Sequence, residues 1–194
     1  QAWEDFIKPV RQIVGFTERS RDAALMVLEL LPKARFSSPA PMHVPPLWIT
    51  ATEAELSKLA CNCFLSIKVV TSVMIAEIAE KIGAQYEVIR EVIGADERIG
   101  ASHLDITHGG YRGFGGYCLP KDFSALLAYV RELHGLDGGA SGKLDSVIGL
   151  LGKAWHFNEE TLREQGLTTA DVSKHITDIE IREKRKKRFS RERT

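Results

Sequence analysis

Residues 52–83 read TEAELSKLACNCFLSIKVVTSVMIAEIAEKIG. Thr52 and Glu55 form a Ser/Thr-x-x-Glu capping box, and Gly83 supplies a stop, so the spacing predicts one long helix over 53–82. Leu56, Leu59, Ala60, Cys63, Phe64, Ile67, Val70, Val73, Met74 and Ile78 occupy most of its circumference. A helix that is apolar nearly all round must be covered on more than one side. In a chain of 194 residues, the expected second cover is another copy of the chain, so a homodimer through helix 53–82 is predicted.

Working outward, Tyr86–Ile93 predicts a shorter helix ended by Gly94, followed by an irregular glycine-rich loop over 100–119. Pro120 suits the first turn of a helix, where a missing N–H costs nothing. That helix is expected to run through Ala125, Leu126, Tyr129, Val130 and Leu133 to Gly135. Further helices are expected over 144–162 and 169–191. Upstream, Arg11–Thr17 is β-branched and bounded by Pro9, which predicts a strand; Ser20–Leu31 keeps helical spacing before Pro32. Residues 37–46 are rich in proline and serine and predict a loop, and Leu47–Thr50 predicts a buried strand. Strand, helix, strand in this order is the closing unit of an α/β layer. Gln1 is no initiator, and a segment of a longer polypeptide is expected.

The overall fold expected is therefore mainly α. A long central helix lies in a helical bundle, preceded by a short α/β remnant of a Rossmann-type domain. The chain is expected to divide into three regions: an α/β part over 1–51, a helical dimerisation part over 52–135, and a helical extension over 136–194. Lys+Arg and Asp+Glu are both 26, with 44% hydrophobic and 27% charged residues. The balance gives no reason to expect nucleic acid or a membrane as partner, and the basic run 184–188 is interleaved with acids. No apolar run approaches the roughly 20 residues of a bilayer span. Three cysteines and no signal-peptide layout point to a reducing compartment, the cytoplasm.

Chemistry concentrates in Gly113-Phe114-Gly115-Gly116-Tyr117-Cys118-Leu119-Pro120-Lys121-Asp122. Glycines let the backbone approach a ligand closely. Cys118 stands at a helix start, where unpaired N–H groups and the Lys121 cation favour negative charge on sulfur. Asp122, in the same first turn, is placed to accept a proton or orient a water. Lys58 and Asn62, four apart, share one face of an otherwise apolar helix and need a reason to be there. Cys61 and Cys63 point to opposed sides of a helix, so packing is expected rather than a shared metal, and no metal site is assigned. His103 and His108 lack a third ligand at metal spacing.

Glu55-Leu-Ser-Lys58-Leu-Ala-Cys-Asn62-Cys-Phe-Leu65, then Asp96-Glu-Arg98-Ile-Gly100, then GFGGYCLPKD, in that order, resemble the central domain of the UDP-glucose/GDP-mannose dehydrogenase family. Residues 1–50 resemble the tail of that family's NAD-binding domain. The resemblance implies NAD-linked oxidation of a sugar C6 alcohol to a carboxylate. Cys118 would be the nucleophile, Lys58 and Asn62 would stabilise charge on the C6 oxygen, and Asp122 would manage water and protons. Phe114, Gly115, Gly116 and Lys121 would meet the sugar nucleotide, a UDP-sugar, and Arg98 would reach it in the partner subunit. No Gly-x-Gly-x-x-Gly occurs in the sequence, so the chain does not carry the usual NAD site. Two alternatives stand beside this: a nucleotide-sugar-binding or dimerisation module without turnover, and a thiol hydrolase pairing Cys118 with His103 or His108.

Overall fold

The computed structural model describes residues 2–32, 34, 36–38, 49–107, 109–139 and 142–173. They divide into two compact units, Gln1–Ala60 and Cys61–Thr194. The division falls inside the long helix, not at its start.

In the first unit, α1 (Ala2–Ile7) precedes β1 (Arg11–Ile13), a 3-10 turn (Glu18–Ser20), α2 (Arg21–Leu30) and β2 (Phe36–Ser38). The strands pair in parallel, Arg11 opposite Phe36 and Ile13 opposite Ser38. Strand, helix and strand do follow in the expected order, but the second strand is Phe36–Ser38, not the one expected at Leu47–Thr50, and it overlaps the start of the stretch read as loop. Leu47 and Trp48 lie outside the described residues. At the end of the predicted second strand the chain makes one parallel bridge, Phe16 with Thr50, and Thr50 is exposed rather than buried. Ala51 N–H donates to the Phe16 carbonyl at 2.8 Å. Gly15 is required there, because a Cβ would stand 2.7 Å from the Ala54 Cβ.

The long helix, α3, runs Ala51–Ile82. Its capping box is Thr50 with Glu53, two residues before the expected pair. Thr50 N–H donates to Glu53 Oε2 at 2.7 Å, and Glu53 N–H donates back to Thr50 Oγ1 at 3.2 Å. The backbone donation from Thr50 holds the Glu53 carboxyl below its ordinary pKa. By length and composition α3 is apolar enough to cross a membrane, which the short apolar runs of its sequence do not suggest. Its buried hydroxyls are paired within the helix: Ser66 donates to the Asn62 carbonyl and Ser72 to the Lys68 carbonyl, each at 2.8 Å.

In the second unit, α4 (Tyr86–Gly94), α5 (Leu119–Leu136), α6 (Gly142–Glu164) and α7 (Thr169–Val172) complete a mainly α architecture. The helix expected over 169–191 is present as this one turn, and residues 174–194 lie outside the described residues. Val69, Val73, Ala76 and Ala79 of α3 meet Tyr86, Phe123, Leu127, Leu151 and Ala154 in one core. Phe114 stacks on Phe123 at 5.5 Å, and Trp155 closes the trio at 5.9 and 5.7 Å. Such aromatic contacts contribute about 0.5–1.5 kcal/mol each beyond burial. Cys63 is part of this core, which fits packing rather than ligation. A smaller cluster joins Tyr111, Leu162, Leu167 and Val172.

The opposite face of α3 is left bare. Phe64, Met74, Ile78 and Ile82 are exposed by 71, 44, 53 and 73%. At about 100° per residue they fall within an arc of about 80°, on the side away from Val69, Val73 and Ala76.

Candidate active site

Local sequence sets where Cys118 sits. It is the N-cap of α5, Pro120 occupies the first turn, and Asp122 N–H donates to the Cys118 carbonyl at 3.0 Å. Cys118 is exposed, Cys61 half-buried and Cys63 buried. Burial pushes the Cys63 thiol above its ordinary pKa, which disfavours its reactive thiolate. Cys118 opens onto a cavity of about 630 Å³ whose lining includes His103, Tyr111, Gly115, Gly116 and Tyr117.

Beneath this helix start lies a polar knot. Asp122 is 2% exposed. Asn62 Nδ2 donates to its Oδ2 at 2.5 Å, while Lys121 Nζ pairs with its Oδ1. The hydrogen bond to Asp122 is the main cause that lifts the Lys121 ammonium above its ordinary pKa, and the nearby Cys118 adds to it. A buried carboxylate keeps its charge at tolerable cost only when paired in this way.

The predicted residues are thus distributed unequally. The structure brings Cys118, Lys121, Asp122 and Asn62 together, and places Phe114, Gly115 and Gly116 in the cavity lining. Phe114 is 1% exposed, so its ring belongs to the core and its backbone to the loop. Gly115 is needed because a Cβ there would stand 2.1 Å from the Tyr111 hydroxyl. Arg98 does not line the cavity. Its side chain is 89% exposed and grips Asp96 through Nε at 3.0 Å and Nη2 at 2.6 Å. Lys58, exposed, lies in the first unit, where Arg11, Ile13, Ala54, Ser57 and Lys58 border a cavity of about 260 Å³. His108 lies outside the described residues, and among the described residues no three His, Cys, Asp or Glu side chains converge.

Several residues that shape the site carry no motif. Arg112 pairs with Glu77 at 3.1 Å and with Glu80, the latter being the main cause that raises its pKa. Lys68 Nζ donates to the Ile99 and Gly100 carbonyls at 2.7 and 2.9 Å, fixing the turn that bears Arg98. Asn158 and Gln165 of α6 and its C-terminal turn bond the backbone of the glycine-rich loop. The one sequence signal for them is their spacing. Seven apart, they fall on the helix face of Leu151, Ala154 and Leu162, where an amide needs a partner.

Residues 52–137 match a family model described as UDP-glucose/GDP-mannose dehydrogenase family, central domain. UDP-glucose 6-dehydrogenase TuaD of Bacillus subtilis (strain 168) is 35% identical over 131 residues, 68% of this chain and 25% of that protein. The UDP-glucose 6-dehydrogenase of Rhizobium meliloti (strain 1021) is 35% identical over 131 residues, 68% of this chain and 28% of its own length. A solved UDP-glucose dehydrogenase from the hyperthermophilic archaeon Pyrobaculum islandicum superposes with a TM-score of 0.63 at 29% identity, over 84% of this chain and 32% of that one. The chain spans about a quarter of the length of the curated relatives it matches, 25% and 28% for these two.

Proposed function

Since residues 52–137 belong to the UDP-glucose/GDP-mannose dehydrogenase family as a central domain, we propose that this chain supplies the reacting thiol of a cytoplasmic nucleotide-sugar dehydrogenase. The substrate class is a UDP-sugar, oxidised from alcohol to carboxylate at C6. The observation that carries this reading is the 2.5 Å hydrogen bond from Asn62 to Asp122, which ties α3 to the helix turn presenting Cys118.

The thiol steps follow from the groups present. The Cys118 sulfur adds to C6 of the intermediate aldehyde; a C–S bond forms and the carbonyl π pair moves onto oxygen, which takes a proton. Asn62 stabilises that oxygen as charge develops on it. At the end of the reaction water attacks the thioester. A C–O bond forms, the C–S bond breaks, the sulfur leaves with the pair, and Asp122 manages the released proton. NAD would accept the two hydrides removed from C6, one on each of two NAD molecules. The residues of this chain do not fit its site: the turn between β1 and α2 carries one glycine, Gly15, whose missing Cβ space is filled by Ala54. No step is derived through it.

The bare apolar stripe of α3 is the surface for a second copy, and Arg98, preformed by Asp96, is offered to the sugar nucleotide held by that copy. The test uses a polypeptide carrying this segment together with a dinucleotide-binding domain. UDP-glucose should reduce NAD, and Cys118→Ser should abolish uronate formation while UDP-glucose still binds. Uronate formed by Cys118→Ser at the unsubstituted rate would sink the thiol mechanism. Binding without any NAD reduction would leave a binding module.

A further inference from the structure

The loop that delivers Cys118 is pinned at alternate residues, and two of its three pins are amide side chains at α6. Phe114 N–H donates to Asn158 Oδ1 at 2.7 Å, and Asn158 Nδ2 donates to the Phe114 carbonyl at 3.1 Å. Two residues earlier, Arg112 N–H donates to Gln165 Oε1 at 2.8 Å, and Gln165 Nε2 donates to the Arg112 carbonyl at 2.9 Å. Two residues later, Gly116 N–H donates to the Val172 carbonyl at 2.7 Å.

Each amide exchanges both of its groups with one backbone residue, which is the pairing a neighbouring strand would supply. Asn158 and Gln165 are two helical turns apart and so share a face, which lets one helix hold residues 112 and 114 together. Asn158 is 1% exposed. A buried amide whose donor and acceptor are both matched fixes one geometry, because any shift of the loop leaves polar groups unpaired. Gly113, between the two pinned residues, has φ of 105°, and a Cβ there would stand 2.7 Å from Asn158 Oδ1. Glycine at 113 is what lets the clamp close. Gly115, Tyr117 and Cys118, the residues between and beyond the pins, then line the cavity.

We propose that Asn158 and Gln165 are positioning residues for Cys118: a two-amide clamp at α6 that sets the backbone of 112–116 and so the place of the sulfur at the cavity rim. This rests on Cys118 being the reacting thiol. An amide that merely filled a polar gap in the core would support the fold without affecting the thiol, and the two cases separate by experiment.

Asn158→Leu, Gln165→Met and Gln165→Glu are compared with the unsubstituted chain. Amide hydrogen exchange at Phe114 and Arg112, and the site-resolved rate of Cys118 alkylation by iodoacetamide, are read under native conditions. Exchange at the freed amide should rise about tenfold, as for an opened backbone hydrogen bond. Alkylation of Cys118 should slow at least about threefold, with exchange in α3 unchanged. Gln165→Glu, which keeps the acceptor for Arg112 N–H, should recover part of both effects. Should Asn158→Leu fail to fold, Gln165→Met, at a half-buried position, carries the same readout. Folded variants in which loop exchange and Cys118 alkylation stay within about twofold of the unsubstituted chain overturn the clamp. Alkylation needs no nucleotide sugar. A clamp that passes this test while Cys118→Ser leaves uronate formation intact therefore keeps its positioning role and removes only the enzymatic reading.

Discussion

Asn62 and Asp122 stand 60 residues apart in the chain, yet the Asn62 amide donates to the Asp122 carboxylate at 2.5 Å. The bond joins the middle of the long helix to the first turn of the helix that Cys118 caps. Because Asp122 is 2% exposed, its charge depends on Asn62 and Lys121 rather than on water.

Removing the donor should therefore cost more than an ordinary polar-to-apolar change. Asn62→Leu removes one hydrogen-bond donor from a buried carboxylate, a loss of about 1–3 kcal/mol in unfolding free energy. Urea denaturation at neutral pH measures it. Asn62→Leu as stable as the parent would mean that Asp122 finds a replacement donor.

Thiol labelling should discriminate sharply among the three cysteines. Cys118 is exposed and beside Lys121, Cys61 is half-buried, and Cys63 lies in the core. Limited iodoacetamide treatment should label Cys118 first and leave Cys63 unlabelled in the folded state. Lys121→Ala removes the neighbouring cation and should slow Cys118 labelling by several-fold, with salt diminishing the difference. Equal labelling of Cys118 in both proteins would remove Lys121 from the site.

Much of this is legible in sequence where the signal is local. Gly83 and Pro120 mark a helix end and a helix start, and α3 and α5 obey them. Thr50-Ala-Thr52-Glu53-Ala-Glu55 contains two overlapping capping boxes. Which one forms is decided by a distant partner: the bridge from Phe16 ends the extended run at Thr50, so Thr50 and Glu53 pair. β2 is hidden for the same reason, since Phe36–Ser38 becomes a strand only by lying against Arg11–Ile13. Asn158 and Gln165 fall on the apolar face of α6, but their backbone partners are 44 and 53 residues away and no local signal names them.

Alkaline conditions should unfold the second unit early. Burial holds Cys63 and Tyr86 above their ordinary values of 9.0 and 10.0. A group raised in the folded state adds stability that is whole below its unfolded pKa and is lost as pH rises through its folded pKa. Stability should thus fall from about pH 9 upward. Tyr86 also donates to the Leu104 carbonyl at 2.7 Å. Tyr86→Phe should cost about 1 kcal/mol at neutral pH and flatten part of the alkaline decline. Stability measured from neutral to strongly alkaline pH tests both parts, and an unchanged alkaline slope would remove Tyr86 as a cause.

The stripe of Phe64, Met74, Ile78 and Ile82 predicts a concentration-dependent mass. Ile78 is 53% exposed, so Ile78→Lys should leave the fold of one copy intact. It would place a charge where a partner must pack. Sedimentation should show the parent chain as a dimer and Ile78→Lys as a monomer with unchanged helix content. A parent that stays monomeric at high micromolar concentration would leave the stripe without the proposed partner.

Two alanine substitutions at glycines should act in opposite directions, and the contrast isolates the loop from general helix effects. Gly149 lies inside α6 with nothing within 4 Å of where a Cβ would be. Gly149→Ala adds helix propensity and should stabilise by up to about 1 kcal/mol. Gly113 has φ of 105°, and its Cβ would press on Asn158 Oδ1 at 2.7 Å. Asn158 cannot withdraw without freeing the Phe114 N–H it accepts from, so both strain and a lost hydrogen bond fall on one substitution. Gly113→Ala should destabilise by about 1–3 kcal/mol. It should also slow Cys118 labelling in the fraction that remains folded, which Gly149→Ala should leave unchanged. Thermal unfolding and labelling of the same two variants decide the matter: a Gly113→Ala chain as stable as its parent would mean that the loop relaxes away from α6.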